Sequence, residues 1–264
     1  MLDITFVITL MLCVGLIVSL GPPPIGKALP VLMYHQVRPH PSSDLAVSPE
    51  TFEHQLQQLH QKGYQGISFS DLASHIDEKK PLPRRPVIVT FDDGYTDIET
   101  YALPILQAYN MPSTVFLPVG MIGAQNSWDG GTEPLLNYEA LFRLMEHRVE
   151  YGLHTMRHSN VRNLSDQELS TDIQECINTL NVNQLPHLPV LAYPYGAFHR
   201  HDAAKRRAMR RVLDEAGIKF AVRIGSRINR IPILRRFEVT RINVHNTDID
   251  WRFALKLRRG RLRL

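Results

Sequence analysis

Val87-Ile88-Val89-Thr90-Phe91-Asp92-Asp93-Gly94-Tyr95 is an apolar run that passes without a spacer into two adjacent carboxylates and a glycine. β-Branched and aromatic residues without polar alternation read as a strand buried on both faces, the signature of a parallel sheet. In parallel α/β folds the chemistry sits just beyond the C-terminal ends of strands, which is where Asp92 and Asp93 fall. Working outward, residues 31–34, 113–118, 149–153, 190–193 and 220–222 also read as strands. Residues 48–63, 97–109, 138–147, 165–180 and 203–217 read as helices. Ser165-Asp166-Gln167-Glu168 is a helix-start pattern, and Gly63 and Gly217 are helix stops. This alternation predicts an α/β fold with a parallel sheet, open or closed into a barrel.

Composition narrows the class. A chain of 264 residues that is 44% hydrophobic and 21% charged buries a core and is not disordered. Two cysteines, Cys13 and Cys176, exclude a disulfide framework and a four-cysteine zinc site. The net charge of +4 hides an asymmetry: residues 1–199 carry −9 and residues 200–264 carry +13. A basic C-terminal quarter predicts an anionic neighbour. Residues 4–20 hold no charge and end at Gly21-Pro22-Pro23-Pro24. As a helix they would span roughly 26 Å, near the lower limit for a bilayer. The preceding Met-Leu-Asp lacks Lys and Arg, and no small pair suits a cleavage site, so a membrane anchor is favoured over a cleaved signal peptide. Either places the domain outside the cytoplasm, in the cell membrane or envelope. The expected division is 1–27 anchor or signal, 28–250 one domain, and 251–264 a basic tail.

Three further strand ends carry polar groups. Tyr151-Gly152-Leu153-His154-Thr155-Met156-Arg157-His158 places two imidazoles four residues apart, a spacing that serves one metal ion or two surface histidines. Val190-Leu191-Ala192-Tyr193-Pro194-Tyr195-Gly196 ends in a fixed turn whose N–H groups can face an oxyanion or simply close a β-turn. Val31-Leu32-Met33-Tyr34-His35 delivers one histidine. Asp-Gly is also common turn chemistry, so the first motif alone leaves a structural role open. The combination of Asp and two His at strand ends is the layout of a hydrolytic metal centre.

In chain order these residues resemble the polysaccharide deacetylase family, the carbohydrate esterases of the NodB homology domain. Thr90–Gly94 is similar to its first motif, His154–His158 to its second and Ala192–Gly196 to its third. The resemblance implies an irregular barrel of seven β/α units over about residues 29–250, and metal-dependent removal of acetyl groups from glycans. It further implies that Asp92 is the general base and that Asp93, His154 and His158 ligate one divalent ion. That ion is zinc first, with nickel, cobalt or iron as the other choices. The backbone N–H of Tyr195 would hold the oxyanion. Ala192 stands where the family has a base-orienting arginine, leaving Arg241 or Arg235 for that task. The family's C-terminal Leu-x-His has no clean copy here, and Val244-His245 matches poorly. Leu32–His35 resembles that strand moved to the front, as in the permuted poly-β-1,6-N-acetylglucosamine deacetylases. His35 is therefore the expected acid, on the other side of the scissile bond from Asp92, with His245 in reserve.

The expected partner is an acetylated polysaccharide, with membrane contact through the N-terminal helix and no nucleic acid, for which interleaved aromatics are missing. The oligomeric state is left open. An O-acetyl esterase and a non-catalytic glycan-binding module are the competing readings. Asp248-x-Asp250-Trp251 reads as an exposed acidic turn with a core tryptophan, Trp128-Asp129-Gly130-Gly131 as a loop beside a sugar groove, and the last ten residues as an interfacial segment or solvated tail.

Overall fold

The computed structural model describes residues 27–261 apart from residue 129. The expected N-terminal apolar helix lies outside the described residues. Among them, no helix is long and apolar enough to cross a membrane.

Eight strands make the main sheet: β1 (Val31–Tyr34), β2 (Gln65–Gly66), β3 (Pro86–Asp92), β4 (Ser113–Leu117), β5 (Val149–Leu153), β6 (Val190–Ala192), β7 (Phe220–Ile224) and β8 (Val239–Asn243). All pairings are parallel, and seven strands close a ring in the order β1-β8-β7-β6-β5-β4-β3. Closure comes from β1, which pairs with β3 from Val31↔Ile88 to Tyr34↔Phe91 and with β8 at Ile242↔Leu32. β2 pairs only with the start of β3, at Gln65↔Pro86 and Gly66↔Val87. The ring is irregular, since β5 and β6 meet in register only at Leu153↔Leu191.

Alternation along β3 explains its double burial. Val87, Val89 and Phe91 join the large cluster under the surrounding helices, whereas Ile88 joins a second cluster with Val31, Phe116, Ala192, Val222 and Val239. Thr90 and Asp92 therefore share the face of Ile88, inside the barrel. A helix, α2 (Phe69–Glu78), belongs to that inner cluster through Phe69 and Leu72, with the Phe69 ring 6.2 Å from Phe116 and 5.9 Å from Phe220. The other helices are α1 (Pro49–Gln61), α3 (Leu103–Ala108), α4 (Tyr138–Met145), α5 (Asp166–Val182), α6 (Ala203–Glu215) and α7 (Asp250–Arg259). The Ser165 and Glu168 capping box at α5 forms as its sequence implies, with bonds of 3.2 and 2.7 Å.

The structure departs from the sequence reading in identifiable places. Residues 97–109 are not one α-helix: a π-helical turn at Ile98–Ala102 leads into α3, whose Pro104 lacks an N–H to donate. Strand β8 and helices α2 and α7 are additional. α7 takes up most of the supposed basic tail and packs inward through Phe253 and Leu257. Its helical spacing turns Trp251 out, 57% exposed, while Asp248 is buried against the Lys256 ammonium. The expected exposed acidic turn with a core tryptophan is thus overturned at Asp248 and Trp251, while Asp250 is exposed.

Candidate metal centre

β3 ends at Asp92, and the chain turns back at once through left-handed backbone at Asp93 (φ +72°) and Gly94 (φ +74°). A Cβ at Gly94 would stand 2.8 Å from a Leu117 methyl, so glycine is needed for space as well as for φ. β5 delivers His154 directly. His158 arrives by a compact loop with positive φ at Thr155 and at His158 itself. Asp172 of α5 accepts the Met156 N–H at 3.0 and 3.2 Å, and the Thr155 hydroxyl accepts the Ser159 N–H at 2.7 Å, which fixes that loop.

These turns bring three donor atoms together. Asp93 Oδ1 lies 3.3 Å from His158 Nε2 and 3.5 Å from His154 Nε2, and all three residues are buried. His154 Nδ1 is 2.8 Å from the Ala192 carbonyl, which can only accept. Nδ1 therefore carries the hydrogen and Nε2 presents its lone pair to the cluster. Burial pushes the His154 imidazole down to about pH 4, against the pull of Asp92 and Asp93, so it is neutral at pH 7. Burial would raise the Asp93 carboxyl, but His158, His35 and His154 outweigh it and keep it ionised. Asp93 Oδ1 nevertheless has no hydrogen-bond partner among the described residues. An orphaned buried carboxylate oxygen facing imidazole lone pairs calls for a cation. Ligands about 2.0–2.1 Å from a tetrahedral zinc stand about 3.3–3.4 Å apart, close to the two separations seen here. The donor set fits a divalent metal.

Asp92 looks into the barrel, where both its oxygens are taken by Arg241: Nη1 donates to Oδ1 at 2.5 Å and Nη2 to Oδ2 at 2.7 Å. Arg241 comes from β8 and is wholly buried, with its guanidinium carbon 5.3 Å above the Phe116 ring and Nη1 3.3 Å from the Thr90 hydroxyl. Burial alone would raise the Asp92 carboxyl. The charges of Arg241, His154 and His35 prevail and hold it well below the usual carboxylate range. His35, just past β1, has Nε2 3.8 Å from Asp92 Oδ2. The reserve candidates have other partners: Arg235 is exposed and reaches Glu238 at 4.0 Å, and His245 Nδ1 lies 3.3 Å from the Asp44 carbonyl.

Tyr195, in left-handed conformation at φ +59°, sets its ring 4.5 Å from that of His158, nearly perpendicular. Trp128 stacks on the same imidazole at 4.5 Å. The structure also brings together a group that the sequence reading missed. Arg38 clasps Glu133 with bonds of 2.7 and 2.5 Å and holds Nε 3.4 Å from Asp97. Burial raises the Asp97 carboxyl to about 7 against the opposing pull of Val37 and Arg38. Three isolated charges in three loops carry no spacing signal. Only the folded chain shows them as a unit.

Residues 79–221 match the family described as polysaccharide deacetylase. The chain is 28% identical over 160 residues to the poly-β-1,6-N-acetyl-D-glucosamine N-deacetylase of Staphylococcus epidermidis, covering 57% of this chain and 54% of that one. It is 26% identical over 171 residues to YxkH of Bacillus subtilis, covering 65% and 58%. The chain thus spans little more than half the length of these relatives. Among solved structures, the Streptococcus pyogenes deacetylase PplD, in complex with acetate, is similar with a TM-score of 0.74 at 20% identity, over 88% of this chain and 99% of that one. IcaB from Ammonifex degensii gives 0.72 at 22% identity, over 90% and 98%. At such identities these two likenesses speak to the fold.

Proposed function

The chain belongs to the polysaccharide deacetylase family, and on that premise we propose that it is a metal-dependent hydrolase removing N-acetyl groups from an N-acetylglucosamine-type polymer outside the cytoplasm. The observation that carries this reading is the convergence of Asp93, His154 and His158 beside the buried Asp92–Arg241 pair. The curated relatives named for poly-β-1,6-N-acetylglucosamine deacetylation support the substrate class. Residues 4–20 would tether the chain to a membrane.

In this reading Asp93, His154 and His158 hold the ion, with zinc the first choice and nickel, cobalt or iron the others. When bound, a divalent ion polarises a carbonyl oxygen and makes water a nucleophile at neutral pH. Asp92 accepts the proton of the attacking water. Arg241 fixes both carboxylate oxygens, so the base needs no reorientation, and it keeps Asp92 ionised across the working pH range. His35 then gives a proton to the leaving nitrogen, and the Tyr195 backbone N–H donates to the developing oxyanion. Because His35 lies 3.8 Å from Asp92, base and acid serve one small volume and can exchange the proton between them. Trp128 and Tyr195 would wall the sugar.

Acetate release from a panel of N- and O-acetylated glycans, before and after chelation and metal replacement, tests the reading. Release from N-acetylglucosamine oligomers that stops on chelation and returns with zinc is expected. Undiminished release from metal-free protein, or release from O-acetyl esters alone, would overturn it.

A further inference from the structure

Of the strongly basic C-terminal quarter, the chemistry above uses only Arg241, yet the fold brings other arginines of it to the site's edge. A pocket of about 260 Å³ is lined by Tyr195, Phe198, His201 and three arginines, Arg162, Arg200 and Arg223, with no carboxylate in its wall. Tyr195 is shared, since the same residue packs on the metal-ligand candidate His158. The arginines come from the segments following β5 and β6 and from β7 itself, so three consecutive strand ends contribute. A second hollow of about 340 Å³ shares Arg223 and adds Arg227, Arg230 and Arg235, with Glu238 as its one acid. Glu238 is already engaged by Arg210 and approached by Arg206 at 3.9 Å.

Arg223 stands at the junction. Its guanidinium carbon lies 4.9 Å over the Phe198 ring, Nη1 donates to the Ile224 carbonyl at 3.0 Å, and Nε is enclosed without a partner. Burial, and then the neighbouring Arg200, Arg227 and Arg235, work against its charge, with Glu238 as the opposing anion. Stacking fixes the plane of a guanidinium, and a planar fork of N–H donors matches a carboxylate or phosphate. Like charges held this close are stabilised by an anion placed among them.

We infer that this pocket binds an oxyanion borne by the glycan itself, a uronate carboxylate or a phosphodiester, on a residue next to the acetylated sugar. The polymer is then acidic. This rests on the deacetylase reading. It also has a consequence for products, because each exposed amine becomes an ammonium at neutral pH and is repelled by the same arginines.

The test uses the full chain loaded with zinc and three matched N-acetylglucosamine oligomers: neutral, uronate-containing and phosphodiester-linked. At low ionic strength at least one acidic oligomer should show a KM about tenfold or more below the neutral one. That gap should shrink at 0.5 M salt, where charges are screened over a few ångströms. Which acidic oligomer is favoured distinguishes carboxylate from phosphate. Arg200→Ala and Arg162→Ala, both at exposed positions, should narrow the ratio of the two KM values, and Arg223→Lys should narrow it while keeping the charge. Direct binding of the same oligomers to Asp92→Asn protein separates the two ideas. Acidic oligomers that bind, and lose binding in Arg200→Ala, support the pocket even if no oligomer releases acetate, in which case the deacetylase reading is what fails. Equal KM and equal binding for neutral and acidic oligomers, or arginine variants that weaken both alike, would overturn the proposal.

Discussion

The two ends of the barrel differ in what their buried polar groups have found. At the N-terminal ends of the strands lies the larger cavity, about 640 Å³, lined by Gln65, Gly66, Met111 and Arg148 among others. The charged groups there are engaged: Asp71 in the Ser68 capping box, Arg148 with Asn110 at 2.7 Å, Lys80 with Glu78 at 2.8 Å. Near that end, the enclosed atoms without partners include two neutral hydroxyls, of Ser113 and Thr114. At the opposite end the orphans include a carboxylate oxygen of Asp93, an imidazole nitrogen of His158 and both oxygens of Asp97. Volume therefore misleads, and unmet bonding capacity locates the chemistry. Unsatisfied charge persists where something else is meant to bind.

The contrast is open to direct attack. Asp93→Asn, His154→Ala and His158→Ala should each strip the metal and lower acetate release by on the order of 10³-fold or more, since the ion supplies several kcal/mol. Metal analysis beside the assay checks this, and full occupancy in all three variants would break the contrast. Asp92→Asn and His35→Ala should each cost about 10²–10⁴ in kcat with metal retained. Arg241→Ala acts on stability: it leaves the Asp92 carboxylate buried and unpaired, a loss of about 3–5 kcal/mol read from urea midpoints.

Two pH effects have opposite signs. The folded Asp92 carboxyl is held down by Arg241, so its share of stability is complete above the unfolded value near 3.9 and is lost as pH falls below it. Asp97 is raised to about 7. The unfolded chain releases that proton first, so rising pH between about 4 and 7 removes stability, on the order of 2–4 kcal/mol. Asp97→Asn should flatten this slope in denaturant titrations run from pH 4 to 8. At the far end of the barrel, Arg148→Ala should change stability by less than about 1 kcal/mol and leave acetate release unaltered.

The sequence exposed the parts of this arrangement that are local. An unbroken apolar run before Asp92-Asp93-Gly94 announces a buried strand and its functional tip, and His154 and His158 declare themselves by spacing. β8 was harder to see because Arg241 points into the barrel with Val239, placing a charge where the period of two expects an apolar residue. Arg241 was legible as a candidate, but not as part of a strand. α7 was misread because Lys256 sits at a core position between Phe253 and Leu257, and only its pairing with Asp248 permits that. The Arg38–Asp97–Glu133 group joins residues up to 95 positions apart. For Arg241 and for Asp97 the partner of a buried charge is remote in the chain, and a window of sequence shows one partner at a time.

The ring closes where its first strand meets its last, and that seam sets a clock on the molecule's birth. Leu32 must wait for Ile242, and Asp92 for Arg241. During synthesis from the N-terminus, His35, Asp92 and the metal ligands all emerge while the strand that completes the ring is still unmade. Contacts this far apart along the chain form late, because the intervening loop must be closed before they are rewarded. The proposed site is therefore assembled only once the chain has been delivered through β8. A chain that is stalled, or cut before residue 239, would leave Asp92, the proposed base, without the arginine that sets it.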